Sequence, residues 1–117
     1  MNIKELMEQY KINFDKLEKA TKNESKREQE EREKRTEQSE LFYKLQDKEI
    51  NGEEYTKRIN ELHEEQEKAK EQKELATIER KLLQDNENIL KDKIVIDIYK
   101  NILVKYNQKA IGEQTTA

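Results

Sequence analysis

One place in this sequence carries three agreeing cues for the end of one helix and the start of another. That place is Ile50-Asn51-Gly52-Glu53-Glu54-Tyr55, inside the stretch Leu41 to Leu62. Asn51-Gly52 is a turn dipeptide, because both residues tolerate the backbone angles of a chain reversal. Asn51 and Glu54 stand at capping-box spacing, with the Asn51 side chain set to accept from the Glu54 N–H and the Glu54 carboxylate set to reach back. Ile50 and Tyr55 bracket the cap as a hydrophobic staple. A β-hairpin at the same dipeptide would need alternating apolar flanks, and these flanks repeat at three and four instead. Elsewhere the chain has no proline and one other glycine, Gly112. Little else interrupts a helix.

Composition sets the class. Charged residues make up 44 % of the 117 positions and apolar residues 32 %, too little for a large globular core and too charged for a buried sheet. Glu, Lys, Gln, Arg and Leu favour helix. Low hydrophobicity with high charge is also the signature of disorder, but a net charge of −3 and periodic apolar positions favour long helices. With no cysteine, disulfides and thiolate metal sites are excluded. No signal peptide opens the chain and no apolar run approaches a membrane span. The expectation is a cytoplasmic protein, used in or incorporated into something assembled there.

Five segments follow. Residues 1–49 read as a first long helix, opened by an Asn2/Glu5 cap with Met1 and Leu6 as staple. Its seam is Ile3, Met7, Tyr10, Phe14 and Leu17, at alternating spacings of four and three. Residues 21–40 hold no apolar side chain, and thirteen of these twenty positions are charged. Pairs such as Glu28–Arg32, Glu30–Lys34 and Glu31–Arg35 can keep them helical, at about 0.2–0.5 kcal/mol each. The heptad frame crosses this gap, from Met7 and Phe14 to Phe42 and from Leu17 to Leu45. Asn23-Glu24-Ser25 is the weakest point, with Ser25 and Glu28 at capping distance. Residues 50–52 are the turn, 53–86 a second long helix, 87–109 an amphipathic C-terminal helix and 110–117 a flexible tail. Asp85-Asn86-Glu87-Asn88 marks a kink or short loop between the last two helices.

Folding back at the turn sets Phe42 against Ile59, Leu41 near Leu62, Leu17 near Leu83, Met7 near Ile94 and Ile3 near Ile98. Apolar then meets apolar, and the charged middles face each other. The fold class is all-α: a long, coiled-coil-like antiparallel helical hairpin, with arms of roughly 70 Å at 1.5 Å per residue. In the C-terminal segment Val95, Ile98, Tyr99, Ile102 and Tyr106 form one helical face, which Ile94, Ile96, Leu103 and Val104 widen. One side of it is expected to close the open end of the hairpin against Ile3 to Leu17. The remainder is too apolar to leave in water. The candidate interaction residues are Val95, Ile98, Tyr99, Ile102, Leu103 and Tyr106.

Sites for chemistry are scarce. There is no Gly-rich phosphate loop, no GxSxG and no HExxH. His63 with Glu67 could form a surface metal pair, but a solvated helix face is the plainer reading. No cofactor, metal or catalytic residue is expected. Lys91 to Lys109 holds five lysines and two aspartates. The breadth of its apolar face favours a protein partner over nucleic acid or a membrane surface.

Leu41, Leu45, Ile50-Asn51-Gly52, Glu53-Glu54-Tyr55, Lys57-Arg58 and Leu62 resemble the short SHOCT-type helical hairpin. The resemblance covers about a fifth of the chain and implies an interaction module used for oligomerisation, without catalytic residues. The wealth of Lys, Asn, Ile and Glu resembles proteins of low-GC Gram-positive bacteria and their phages. The expected function is a non-enzymatic, homo-oligomeric scaffold, as in phage or mobile-element virion assembly. The rivals are a small helical adaptor or inhibitor of one host protein and, more weakly, an accessory nucleic-acid-binding protein.

Overall fold

The computed structural model describes residues 2–115, with side chains as far as Ala110. It consists of two α-helices, α1 (Ile3–Gln46) and α2 (Gly52–Thr115), and among the described residues there is no strand. They form two compact units: a turn unit, Glu18–Lys81, and an end unit made from the chain up to Leu17 and from Leu82 onward. Helix pairing is antiparallel in each.

In the turn unit, numbers rise along α1 as those of the partners fall along α2. Arg80 bonds Glu24, Lys73 meets Glu31 and Glu65 meets Lys34. The α1 positions turned inward are Ala20, Glu24, Arg27, Glu31, Lys34, Gln38, Leu41 and Leu45, all buried or half-buried and alternately three and four apart. On α2 the most buried positions are Leu62, Ala69 and Ala76, seven apart. This is a coiled-coil seam with polar layers. Charged side chains occupy it because each finds a partner across it, while the alanines leave room for their long stems.

In the end unit the same spacing selects Ile3, Leu6, Tyr10, Asn13 and Leu17 on α1. The expected seam was Ile3, Met7, Tyr10, Phe14 and Leu17. Met7 and Phe14 are instead 58 % and 48 % exposed, and Leu6 and Asn13 take their places. Asn13 can be buried because both its amide nitrogen and its amide oxygen find partners. Nδ2 donates to the Leu83 carbonyl oxygen at 3.0 Å, and Oδ1 accepts from Asn86 Nδ2 at 2.7 Å.

Neither suspected interruption is present. α1 runs through Asn23-Glu24-Ser25, where Glu24 is held by Arg80 and Ser25 caps nothing. α2 runs through Asp85-Asn86-Glu87-Asn88, so the second and C-terminal helices are one element. Asn and Asp break helices when their side chains turn back on the local backbone. Here Asn86 bonds Asn13, Glu87 accepts from the Tyr10 hydroxyl, and Asn88 accepts from Gln84. Residues 110–115, expected as tail, continue α2; the rest of that tail, and Met1 of the first staple, lie outside the described residues.

The connection differs from expectation in one physical respect. α1 ends at Gln46 rather than residue 49, and the left-handed residue is Lys48, at φ 60°, not Asn51 or Gly52. Glu49 N–H donates to the Lys44 carbonyl at 2.9 Å and Lys48 N–H to that of Leu45 at 3.2 Å. That pattern is a Schellman cap, normally closed by glycine. Asn51 is the N-cap as expected, its Oδ1 accepting from the Glu54 N–H at 2.8 Å. Gly52 has no positive φ, and a Cβ there would meet nothing within 4 Å. Lys48→Gly should therefore stabilise the fold by about 0.5–1 kcal/mol by relieving the left-handed strain. Asn51→Ala should cost about 1 kcal/mol. Urea unfolding followed by circular dichroism reads both, and a destabilised Lys48→Gly protein would contradict this account of the turn.

Candidate interaction surfaces

The charged ladder of the turn unit is the first candidate, since it concentrates titratable groups. Glu24 is half-buried, with 16 % of the side chain exposed, and both its oxygens accept from Arg80 Nε, at 3.1 and 3.2 Å. Burial pushes the Glu24 carboxyl up, but hydrogen bonds from Thr77 and Arg80 outweigh it and hold it below the usual carboxylate range. The Lys34 ammonium, 3.0 Å away, does the same for Glu65, helped by Arg58. Arg58, bonded to Glu61 and facing Glu65 and Glu37, is correspondingly raised. Glu31 is pinned by Arg35 at 2.9 Å and Lys73 at 3.6 Å. Of the expected same-helix pairs, Glu28–Arg32 (4.0 Å) and Glu31–Arg35 form, while Lys34 leaves Glu30 for Glu65 and Glu37. The lowered values of Glu24 and Glu65 come mainly from partners on the opposite helix, and the raised value of Arg58 chiefly from Glu61 on its own helix, so the ladder is structural. In the end unit, the hydrogen bond to Glu87 raises the Tyr10 hydroxyl, and burial adds to it.

The second candidate lies beside the turn. Phe42, Tyr43, Tyr55, Ile59 and His63 line an open groove with Gln66. Phe42 was expected on the seam opposite Ile59. It is 51 % exposed, and its neighbour Leu41 is half-buried instead. Its ring meets that of Tyr43 edge-on at 6.1 Å. Among the described residues no three His, Cys, Asp or Glu side chains gather to hold a metal ion. His63 belongs to this groove. Ile50 and Tyr55, the expected staple, are both half-buried.

The third candidate is α2 in the end unit. Leu90 is buried, and Ile94 and Asp97 are half-buried on the side turned to α1. From Ile98 to Lys109 every residue is exposed, since α1 supplies no helix opposite them before Ile3. All six predicted interaction residues lie open: Val95 48 %, Ile98 43 %, Tyr99 63 %, Ile102 56 %, Leu103 57 % and Tyr106 69 %. The expectation that one side of this face closes onto Ile3 to Leu17 holds only as far as Asp97. No helix among the described residues is long and apolar enough to cross a membrane.

Set against models of known protein families, curated proteins and solved structures, the chain matches none of them. The likeness of residues 41–62 to the SHOCT-type hairpin is one of residue pattern.

The ladder sets a pH dependence. Glu24 and Glu65 have lowered values in the fold, so their contribution is complete above the unfolded-state carboxylate value, about 4.3, and is lost as pH falls through the folded one. The urea midpoint should fall as pH drops below the unfolded-state carboxylate value, and Glu24→Gln should make that acid limb shallower. An acid limb of unchanged slope in Glu24→Gln would remove Glu24 from this role.

Proposed function

We propose that this chain is a non-enzymatic assembly protein. Its charged helical hairpin serves as body and spacer, and the apolar C-terminal part of α2 associates with protein, copies of itself included. The observation that carries this reading is the run Ile98 to Lys109. It contains Ile98, Tyr99, Ile102, Leu103, Val104 and Tyr106, and not one of them is covered. An apolar helix face of this breadth without a partner is the mark of an interaction site. Ile and Val are also indifferent helix formers, so a helix this rich in them draws its stability from burial.

The lysine, asparagine, isoleucine and glutamate content supports placing the protein among phage or mobile-element products. So does the layout of an acidic helical body followed by a basic amphipathic segment. Within that setting a scaffold for virion assembly is the role proposed. An adaptor that binds one foreign protein would use the same face, but would stay a single chain in its absence.

Light scattering on a sizing column separates them. The native chain should show a defined multiple of its chain mass, and Tyr99→Asp/Leu103→Asp should reduce it to one chain with helicity retained, since both positions are exposed. A monomeric native protein, or a variant of unchanged mass, would overturn this reading.

A further inference from the structure

The outward side of α2 in the end unit carries a second heptad, distinct from the seam used within the chain. Leu82, Ile89, Ile96 and Leu103 follow one another at sevens, and Tyr99 and Tyr106 stand three residues after Ile96 and Leu103. Exposures of 65, 51, 52, 57, 63 and 69 % leave all six at least half in solvent, with Ile96 at the edge of a groove it shares with Leu6. The hairpin seam on this helix uses other positions, Leu83, Glu87, Leu90 and Ile94. A repeat of seven fits one kind of partner, a helix packing knobs into holes. The stripe extends for about 36 Å at 1.5 Å per residue.

The charges on this stripe select the partner. Asp85 and Asp92, both exposed, occupy the two heptad positions that Tyr99 and Tyr106 fill further on. Lys93 and Lys100 flank the stripe. The acidic half therefore precedes the basic half. In a parallel pair in register, Asp85 would face Asp85 and Asp92 would face Asp92, two like-charge layers in a desolvated seam. Reversing one copy removes both clashes. Leu82 then meets Tyr106, Ile89 meets Tyr99, and each aspartate faces an apolar residue with a lysine beside it. Asp85 gains Lys100 of the other copy, and the Asp92 and Lys93 side chains of both copies mix at the two-fold axis. The stripe is complementary to itself in one direction only.

We propose that two copies of this chain pair antiparallel through the Leu82–Tyr106 stripe of α2. This rests on the assembly reading above and adds its interface, orientation and register. The native chain has no cysteine, so introduced ones report contacts without background. Asp85→Cys and Leu103→Cys would be prepared separately, oxidised alone and as a mixture, and weighed by light scattering before oxidation. A disulfide formed in the mixture and in neither protein alone supports the proposal, since those positions face each other only in the reversed pair. Disulfides within each single variant would mean a parallel pair and overturn it. A multimer without any disulfide would overturn this interface while leaving the assembly reading intact; a single-chain mass for the native protein would sink both. Ile89→Lys checks the interface independently, because Ile89 lies off the hairpin seam. The native helicity should remain and the mass should halve, and an unchanged mass would again exclude the stripe.

Discussion

The register of this hairpin depends on polar and charged side chains that meet across its seam. Two helices alone enclose a thin core, and along the turn unit that core is largely polar. Glu24 with Arg80, Glu31 with Lys73 and Lys34 with Glu65 stand where a coiled coil normally has leucine. Ion pairs of this exposure add little net stability, because desolvation offsets most of their attraction. They discriminate instead. A slip of one heptad that brought Arg58 to the place of Glu65 would set Lys34 against a cation. The apolar positions Leu62, Ala69 and Ala76 supply the cohesion, and the charges choose the register.

The end unit meets the same requirement with an asparagine pair and a tyrosine–carboxylate hydrogen bond. Asn13 spans to Leu83 and Asn86, and Tyr10 to Glu87. A buried asparagine on a helical seam is an accepted device for fixing register. Here it also commits residues that would otherwise favour a turn, and α2 stays helical through Asp85-Asn86-Glu87-Asn88. The continuous α2 outlasts its partner and presents an apolar surface that nothing among the described residues covers.

The all-α hairpin, the Asn51 cap and the antiparallel pairing of the arms were legible in the sequence, whereas the separate C-terminal helix it suggested is part of α2. The cap is local chemistry, and the matching of apolar with apolar survives a shift of one residue. The seam itself was half legible. Ile3, Tyr10 and Leu17 were correctly placed, but apolarity drew the other half to Met7 and Phe14 and away from Asn13, whose partners are some seventy residues distant. The series Leu6, Asn13, Ala20, Arg27, Lys34 and Leu41 carried the signal. Its basic members read correctly only beside Glu65 and Gln72 on the other arm. The left-handed Lys48 left no trace in composition, because glycine is the residue that advertises such a site. At the candidate surface, sequence identified the apolar residues. How many of them α1 would cover depended on where α1 begins.

The turn has a consequence for how the chain reaches this state. Between the Schellman cap at Lys48 and the N-cap at Asn51, the two helices of the turn unit are joined by five residues. Closing that loop is the one entropic toll of the hairpin, because every later layer adds only a few residues to a loop already closed. The shielded apolar positions nearest the turn, Leu41, Leu45, Ile59 and Leu62, are also the most local in sequence. Pairing can advance outward from them like a zipper, and low contact order is the hallmark of fast folding. The complementary charges further along then act as a ratchet, admitting the next turn of helix only in the matching register.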